Sequence, residues 1–537
     1  MNNLYIFAIG GSGERVMRSF IMLLAAGVKL GASKVVPIFV DNDAKSSALT
    51  RCRNLISYYN ASGNKVGIGT LCQREEPKDR ASFFQTVVEE PILLDIAGDT
   101  IGDLKSIIGK GLGMENPVQK DILEERDLLF SEDDLAMKLT VGFVGNPNIG
   151  SVVLNALSFT DDKFENVLKN AGPGDGVMVV GSLFGGTGAA GFPLIVNNFM
   201  RAEKNRPTIG GVAILPYFEL GSAVPDAQAV IDTDKWDVDS DTFSTKTRAA
   251  LMYYDDYMKA MDFLYYVGDD HRATYPHCVG GEKQDNPVHL VELLGAMSIV
   301  DFSKQKNQDN IVYKQPVWGI AEDATGGNTI CNISSIKNKD IKHALVKFQL
   351  MREFFINNSE GFLKHGIQND HAYAKDIAFT EVMRQSCVGT DPKKEYKDVN
   401  EMNNVVNTET SNFPYAWGLN AFFKEWMNWW SDLNGKTARR KFTIFPNEGV
   451  EIDQNNVTLK FYNEGDMGIA STELRREGPI WNRRTVEKPV YPNMATSILN
   501  AHKALKLKNI PEDKKLSTLL RSISDGLDTV IDSTCKL

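Results

Sequence analysis

Through the first half of the chain, short β-branched runs closed by glycine or polar residues alternate with longer apolar stretches of helical period. Residues 4–9 form a continuous apolar run, the pattern of a strand buried on both faces, and lead straight into Gly10-Gly11-Ser12-Gly13. Val16, Phe20, Leu23 and Leu24 then lie on one face of a helix expected over 14–28. A second strand, 35–40, closes on Asp41-Asn42-Asp43-Ala44. A third, 139–144, runs into Gly145-Asn146-Pro147-Asn148-Ile149-Gly150, with a helix from about Ser151. The run 177–180 precedes Gly185-Gly186-Thr187-Gly188 and an apolar helix over 189–200. Residues 209–215 read as a strand entering Pro216-Tyr217-Phe218-Glu219. A helix at 245–261, a strand at 263–267 and a helix at 288–302 follow, the last apolar on most sides and so central and buried.

The remainder is less regular. Residues 45–138 carry charged helical patches at 83–95 and 121–129 and a glycine-rich link at 109–113, which suits an elaborated crossover or insertion. Beyond about 305 the pattern changes: an amphipathic helix at 341–365, aromatic residues at helical spacing over 417–430, a hairpin within 443–461 and a terminal helix at about 492–533. The aromatic stretch reads as core. The whole predicts an α/β fold with a parallel, Rossmann-type sheet and a central helix, followed by a mixed α+β region. The expected divisions are a first domain at 1–284 with its insertion at about 45–138, a central helix at 285–304, a mixed domain at 305–490 and a helical tail at 491–537.

Composition narrows the classes. At 537 residues the chain exceeds one comfortable core. A formal charge of −10 argues against general nucleic-acid binding, and Arg439-Arg440-Lys441 and Arg483-Arg484 read as solvated faces. The six cysteines form no Cys-x-x-Cys, which fits a reducing compartment better than a disulfide scaffold or zinc site. The N-terminal stretch lacks a basic segment before its apolar run, and the run at 20–28 is too short to span a bilayer. A cytoplasmic protein without membrane insertion is expected.

A strand, a glycine loop and a helix in that order cradle an anion: the backbone N–H groups can approach it and the helix dipole favours it. Two common versions do not fit. Thr187 stands where a P-loop needs lysine, and Gly11-x-Gly13-x-x-Val16 lacks the third glycine of the dinucleotide fingerprint. The second mismatch counts against an NAD-dependent oxidoreductase. No Gly-x-Ser-x-Gly elbow exists for a serine hydrolase. Asp232, Asp234, Asp237, Asp239 and Asp241 invite a calcium loop, but Thr242 and Arg248 occupy its glycine and glutamate slots, so a solvated loop is expected. His289 and Glu292 would need histidine at Leu293 to suggest zinc.

Together the loops resemble those of the tubulin/FtsZ superfamily in chain order. Gly185-Gly186-Thr187-Gly188 is similar to the signature glycine loop, with Phe184 for its first glycine and Ala190 for its last. Gly10, Gly11, Ser12 and Gly13 resemble the first loop; Asn42 and Asp43 lie in the second; Gly145, Asn146 and Pro147 lie in the third, which the resemblance places at the γ-phosphate. Leu215-Pro216-Tyr217-Phe218-Glu219 resembles the segment whose acid reaches the ribose, making Glu219 the candidate. The likeness covers roughly residues 4–302. It implies GTP and GDP as ligands, Mg²⁺ near Asp43, and base recognition at the start of the central helix, where Asn286 and His289 stand. It also implies a head-to-tail homopolymer in which a loop after the central helix completes the neighbour's site for GTP hydrolysis. Asn307-Gln308-Asp309 matches the first half of that loop, while Val312 stands in place of its second carboxylate; Asp309 and Asp301 are the catalytic candidates. An adaptor protein is a possible further partner. The alternative implied function is a tubulin-like module that senses nucleotide within a larger complex without polymerising.

Overall fold

The structure, a computed structural model, describes residues 1–41, 43, 46–60, 83–95, 103–106, 120–137, 139, 142–143, 145–157, 162–200, 206–221, 240–257, 261–269, 273–276, 281, 286–316, 319–322, 328–329, 338–363, 414–433, 450–453, 456–459, 472–477, 484–489, 494–506, 510 and 515–534. In chain order its main-sheet and neighbouring strands are β1 (Asn3–Ile9), β2 (Lys34–Asp41), β3 (Val87–Val88), β4 (Ile92–Asp95), β5 (Gly176–Ser182), β6 (Thr208–Ile214), β7 (Phe218–Leu220), β8 (Phe263–Val267), β9 (Ala273–Tyr275) and β10 (Val312–Lys314). The helices are α1 (Gly10–Ala25), α2 (Ser47–Tyr59), α3 (Lys120–Leu129), α4 (Glu132–Ala136), α5 (Pro147–Leu157), α6 (Asp162–Asn170), α7 (Gly186–Met200), α8 (Phe243–Tyr257), α9 (Leu290–Phe302), α10 (Asn338–Leu363), α11 (Pro414–Leu433), α12 (Met494–Ala504) and α13 (Lys515–Thr534).

An eight-stranded sheet runs β10-β8-β6-β5-β1-β2-β3, with β4 also on β2, and its pairings are all parallel. The α/β class expected from the strand and helix pattern is the class observed. Along β1, Leu4, Ile6 and Ala8 face one core and Tyr5, Phe7 and Ile9 the other, so burial on both sides explains the unbroken apolar run. The first core takes residues of α1, α2, α9, α10 and α11; the second takes those of α5, α6 and α7. From β1 the chain moves to β2 on one side, whereas from β5 it moves to β6 and then β8 on the other. The strand order therefore reverses between β1 and β5, which makes their carboxyl ends the switch point where ligands of open α/β sheets bind.

Several elements differ from the sequence expectation. The charged patch at 83–95 is not helical: β3 and β4 both pair with β2, one on each side of Pro91, which cannot continue a helix and separates two β-branched and leucine-rich runs. The range expected to be irregular also contains α2, packed on α1. Helix α1 stops at Ala25 rather than at 28. Gly27 takes φ 90° there, and the Gly27 and Val28 N–H groups bond back to Leu24 and Leu23. The expected strand at 139–144 lies largely outside the described residues, as do the 109–113 link and the aspartates from Asp232 to Asp239. The hairpin within 443–461 forms between Val450–Asp453 and Asn456–Leu459. The terminal helix is two helices, α12 and α13, packed together. Among the described residues no helix is long and apolar enough to cross a membrane.

The helices after residue 305 build back onto the sheet. Trp429 donates its indole N–H to Ser19 Oγ on α1 at 3.0 Å, Arg18 bonds Glu425 at 3.1 Å, and Phe422 packs on Tyr59 of α2. Trp426, Trp429 and Trp430 are fully buried, which explains the aromatic spacing as core. Strand β10 joins the main sheet beside β8, so the sheet draws on both sides of residue 305. If this contact fixes α11 on α1, Ser19→Ala, which strands the buried indole N–H, lowers stability by about 1–3 kcal/mol. Trp429→Ala lowers it by about 3–5 kcal/mol. Denaturant titration measures both, and equal stability of Trp429→Ala and wild type would contradict the contact.

Candidate functional site at the switch point

The glycine stretches expected as loops are largely the first turns of helices. α1 begins at Gly10, directly after β1, and α7 begins at Gly186. Close backbone approach explains why glycine is needed. A Cβ on Gly13 would lie 2.7 Å from Val180 O and 2.9 Å from Ala8 C, and one on Gly188 would lie 2.6 Å from Ser182 O. Gly10 takes φ 64°, and its missing Cβ would sit 3.4 Å from Thr187 Cβ, so the first and fourth loops touch. The third loop nests against the fourth: a Cβ on Gly186 would meet Phe143 Cβ at 2.8 Å and Asn146 N at 3.1 Å. The second loop is tied to α1 by Ser46 Oγ, which donates to Glu14 at 3.0 Å.

The N-termini of α1, α5 and α7 thus meet at one place. None has an acidic residue in its first turn, and no side chain caps α1. Three helix starts around one space, with no side-chain cap on α1, have the electrostatics that suit an anion. Gly11 differs from its neighbours. A Cβ there would meet only Arg15 Nη1, at 3.9 Å, so its side faces open space rather than the sheet.

Beside this cradle lies a buried polar network that joins three elements. Arg15 Nε donates to Glu292 Oε1 at 2.9 Å, Arg15 Nη2 donates to the Tyr217 hydroxyl at 2.8 Å, and that hydroxyl donates to Glu292 Oε1 at 3.1 Å. Arg15 also reaches Ser12 Oγ at 3.4 Å. Burial works against the Arg15 charge, but Tyr217 and Glu292 outweigh it and raise its pKa. Burial raises the Tyr217 phenol, which stays protonated and can donate. Burial, followed by the Asp41 charge, pushes the Glu14 carboxyl well above the usual carboxylate range. His289 caps α9, its Nδ1 accepting from Val291 N at 3.2 Å. Burial, aided by Arg15 and opposed by Asp269, lowers its pKa to about 4, in keeping with an unprotonated acceptor. Three buried polar atoms here, Glu14 Oε1, Asn286 Nδ2 and Glu292 Oε2, have no hydrogen-bond partner among the described residues. Each such atom costs about 1–3 kcal/mol unless a group beyond the described residues satisfies it.

The sequence-nominated residues fall as follows. Gly10, Gly11, Ser12, Gly13, Gly145, Asn146, Pro147, Gly185, Gly186, Thr187 and Gly188 belong to the converging loops and helix starts. Asn42 lies outside the described residues. Asp43 is buried; its N–H donates to Asp41 and its Oδ2 accepts from Gly281 N at 2.6 Å. Glu219 is exposed on β7, paired in register with Thr274. Phe184 turns into an aromatic cluster with Phe243 and Phe218, ring centroids 4.7 and 5.5 Å away, which accounts for its replacing glycine. The residues sequence reasoning missed are Arg15 and the Glu14–Ser46 tie. A glutamate and an arginine inside a mostly apolar helix were the available signal.

The loop after α9 lies at the other edge of the sheet. Asn307 and Thr208, the first residue of β6, share a side-chain hydrogen bond, and Gln308 N donates to Asp262, just before β8, at 2.7 Å. Asp301 faces inward, wholly buried, and accepts from Lys314 Nζ and the Tyr265 hydroxyl, each at 2.5 Å. Asp309 is exposed. Strand β6, at about 3.3 Å per residue, separates the two edges by roughly 20 Å.

No known family model matches the chain, and no curated protein matches it. Among solved structures it is similar to a point mutant of FtsZ from M. jannaschii, with 15% identity and a TM-score of 0.24 over 50% of this chain and 46% of that one. It is similar to CetZ from Methanosaeta thermophila with 15% identity and a TM-score of 0.23, again over 50% and 46% of the two chains. The matched region thus covers less than half of either solved chain.

The glycine contacts predict opposite behaviour for two like substitutions. Gly13→Ala forces a methyl against backbone and lowers stability by about 1–3 kcal/mol. Gly11→Ala leaves the thermal midpoint near wild type and weakens anion binding, read by phosphate or nucleotide titration. Equal destabilisation by both would contradict the assignment of Gly11 to the open side. His289 predicts an acid limb. Its folded pKa of about 4 lies below the ordinary 6.5, so the unfolded chain takes the proton first and stability falls as pH drops between these values. The loss reaches about 3 kcal/mol at 1.36 kcal/mol per unit, and His289→Gln flattens this limb in pH-dependent denaturation.

Proposed function

We propose that the switch-point cradle binds a nucleoside triphosphate, with GTP as the ligand, and that copies of the chain associate head to tail. The observation that carries the first part is the meeting of three acid-free helix N-termini with backbone-tight glycines, an arrangement suited to successive phosphates without a P-loop lysine. The buried Asn286 amide, just ahead of the central helix and without a partner among the described residues, supports a base beside it, since such a donor matches a carbonyl such as guanine O6. Glu219, exposed at the same edge, is the proposed ribose contact.

Among the described residues no group of three histidine, cysteine or acidic side chains could hold a metal. Mg²⁺ would therefore be held mainly by the phosphates, with Asp43 acting on its water shell, as is common for this ion. When bound it would neutralise charge on the phosphates. The chain's own part is to bind and orient the phosphates through N–H groups and to exclude water around the base.

The head-to-tail reading draws support from the separation of the two edges. Asp309 and the glycine loops cannot meet within one chain, whereas stacking copies would bring them together in a contact that repeats without closing. Asp309, exposed, is the carboxylate offered to a neighbour; Asp301 is engaged by Lys314 and Tyr265. With one carboxylate on the loop, assembly with slow hydrolysis is expected.

Light scattering recorded with phosphate release tests this, using GTP, ATP, a slowly hydrolysed GTP analogue and no nucleotide. The expected result is a GTP-specific rise that the analogue sustains, with phosphate appearing slowly. GTP binding without any rise would leave a non-assembling nucleotide sensor, and no nucleotide binding at all would overturn the proposal.

A further inference from the structure

Arg15 uses only part of its guanidinium inside the polar network. Nε and Nη2, which share one edge of the planar group, donate to Glu292 Oε1 at 2.9 Å and to the Tyr217 hydroxyl at 2.8 Å. Nη2 also reaches Ser12 Oγ at 3.4 Å. Nη1, on the other side of the fork, has no hydrogen-bond partner among the described residues. It is the atom nearest to the missing Cβ of Gly11, 3.9 Å away, and so borders the open side of that glycine. Two N–H donors of a guanidinium therefore stand beside the space onto which the first turn of α1 opens.

The group is fixed and charged. Arg15 is 9% exposed, and its guanidinium carbon lies 5.9 Å from the centre of the Phe218 ring. Tyr217 and Glu292 raise its pKa against the opposing effect of burial. A side chain already held by three partners loses little conformational freedom when a ligand arrives. Its surroundings give it a task. The second loop brings Asp41 and Asp43 to the same edge of the sheet, whereas Glu14 is held toward its neutral form by burial and by Asp41. Helix dipoles supply only fractional positive charge against such acids. Arg18, the next cation along α1, turns away to Glu425 at 3.1 Å. Among the described residues of these loops, Arg15 is the full positive charge that reaches the open side of Gly11.

We propose that Arg15 Nη1 binds a phosphate of the nucleotide at the start of α1, so that the cradle adds one cation of its own chain to its backbone N–H groups. Glu292 and Tyr217 are the positioning residues: they occupy the inner edge of the fork and leave the outer nitrogen for the ligand. The inference rests on the nucleotide-binding reading above and is independent of the head-to-tail one.

The test compares wild type, Glu292→Gln and the double variant Arg15→Gln, Glu292→Gln in the whole chain, each too dilute to assemble. Arg15→Gln alone strands a buried carboxylate, whereas the double variant leaves no buried charge unpaired and is checked for folding by its thermal midpoint. A fluorescent GTP analogue is titrated and then displaced by guanosine. The double variant binds the analogue about tenfold or more weakly than wild type, the loss of one charge-assisted hydrogen bond. Glu292→Gln, which keeps Arg15 and removes a nearby anion, binds it at least as tightly as wild type. Guanosine, which has no phosphate, displaces the analogue from the folded double variant with an inhibition constant within about threefold of the wild-type value. Analogue binding by the double variant as tight as wild type overturns the inference. So does equal weakening in Glu292→Gln, which would assign the effect to the packing of the network, and so does equal weakening for guanosine, which would place Arg15 at the nucleoside. Failure of wild type to bind the analogue removes the nucleotide-binding reading and this inference with it.

Discussion

A single methyl group on Gly13 would lie within 2.9 Å of two different strands, and one on Gly188 would collide with the end of β5. That closeness is what allows α1 and α7 to start directly at the carboxyl ends of adjacent strands and leave for opposite faces of the sheet. Because the helices start there, their N–H groups and dipoles point into the same space, with α5 joining through Gly150, whose missing Cβ lies 2.9 Å from Gly186 O. This convergence of helix starts follows from backbone packing.

The cradle is coupled to the rest of the molecule by Arg15. The ion pair to Glu292 crosses from the first helix to the central one, between residues 277 apart in sequence, and Tyr217 ties in the segment after β6. Both charged partners are buried, so removing either would leave the other charged and uncompensated, a costly arrangement. One turn further along, α1 is gripped by α11 through Ser19 and Arg18. Helix α1 therefore joins the first glycine turn, the central helix and the helices from the second half of the chain.

Much of this is legible in the sequence alone. Parallel strands buried on both faces write continuous apolar runs, and glycine must follow where a helix starts at close quarters, so the β1, β2, β5, β6 and β8 units could be read directly. Local pattern failed where the decisive interaction was distant. β3 and β4 are too short to show alternation, and Pro91 between them looks like any loop proline. The return of α11 to α1 depends on Trp429 meeting Ser19, residues 410 apart, which no period records. In the site, glycines and asparagines announced themselves through turn chemistry, whereas Arg15 and Glu14 appeared only as polar breaks in an apolar helix. Asp301 stands in the last turn of the central helix, and its pairing with Lys314 is a tertiary fact that no local pattern records.

The most direct measurement is an experimental structure of the chain with a slowly hydrolysed GTP analogue. The account predicts phosphate oxygens about 2.7–3.2 Å from backbone N–H groups of residues 11–13 and 186–188, with the base against Asn286. A nucleotide bound elsewhere, or phosphates contacting side-chain lysines of the same subunit in place of those N–H groups, would contradict it.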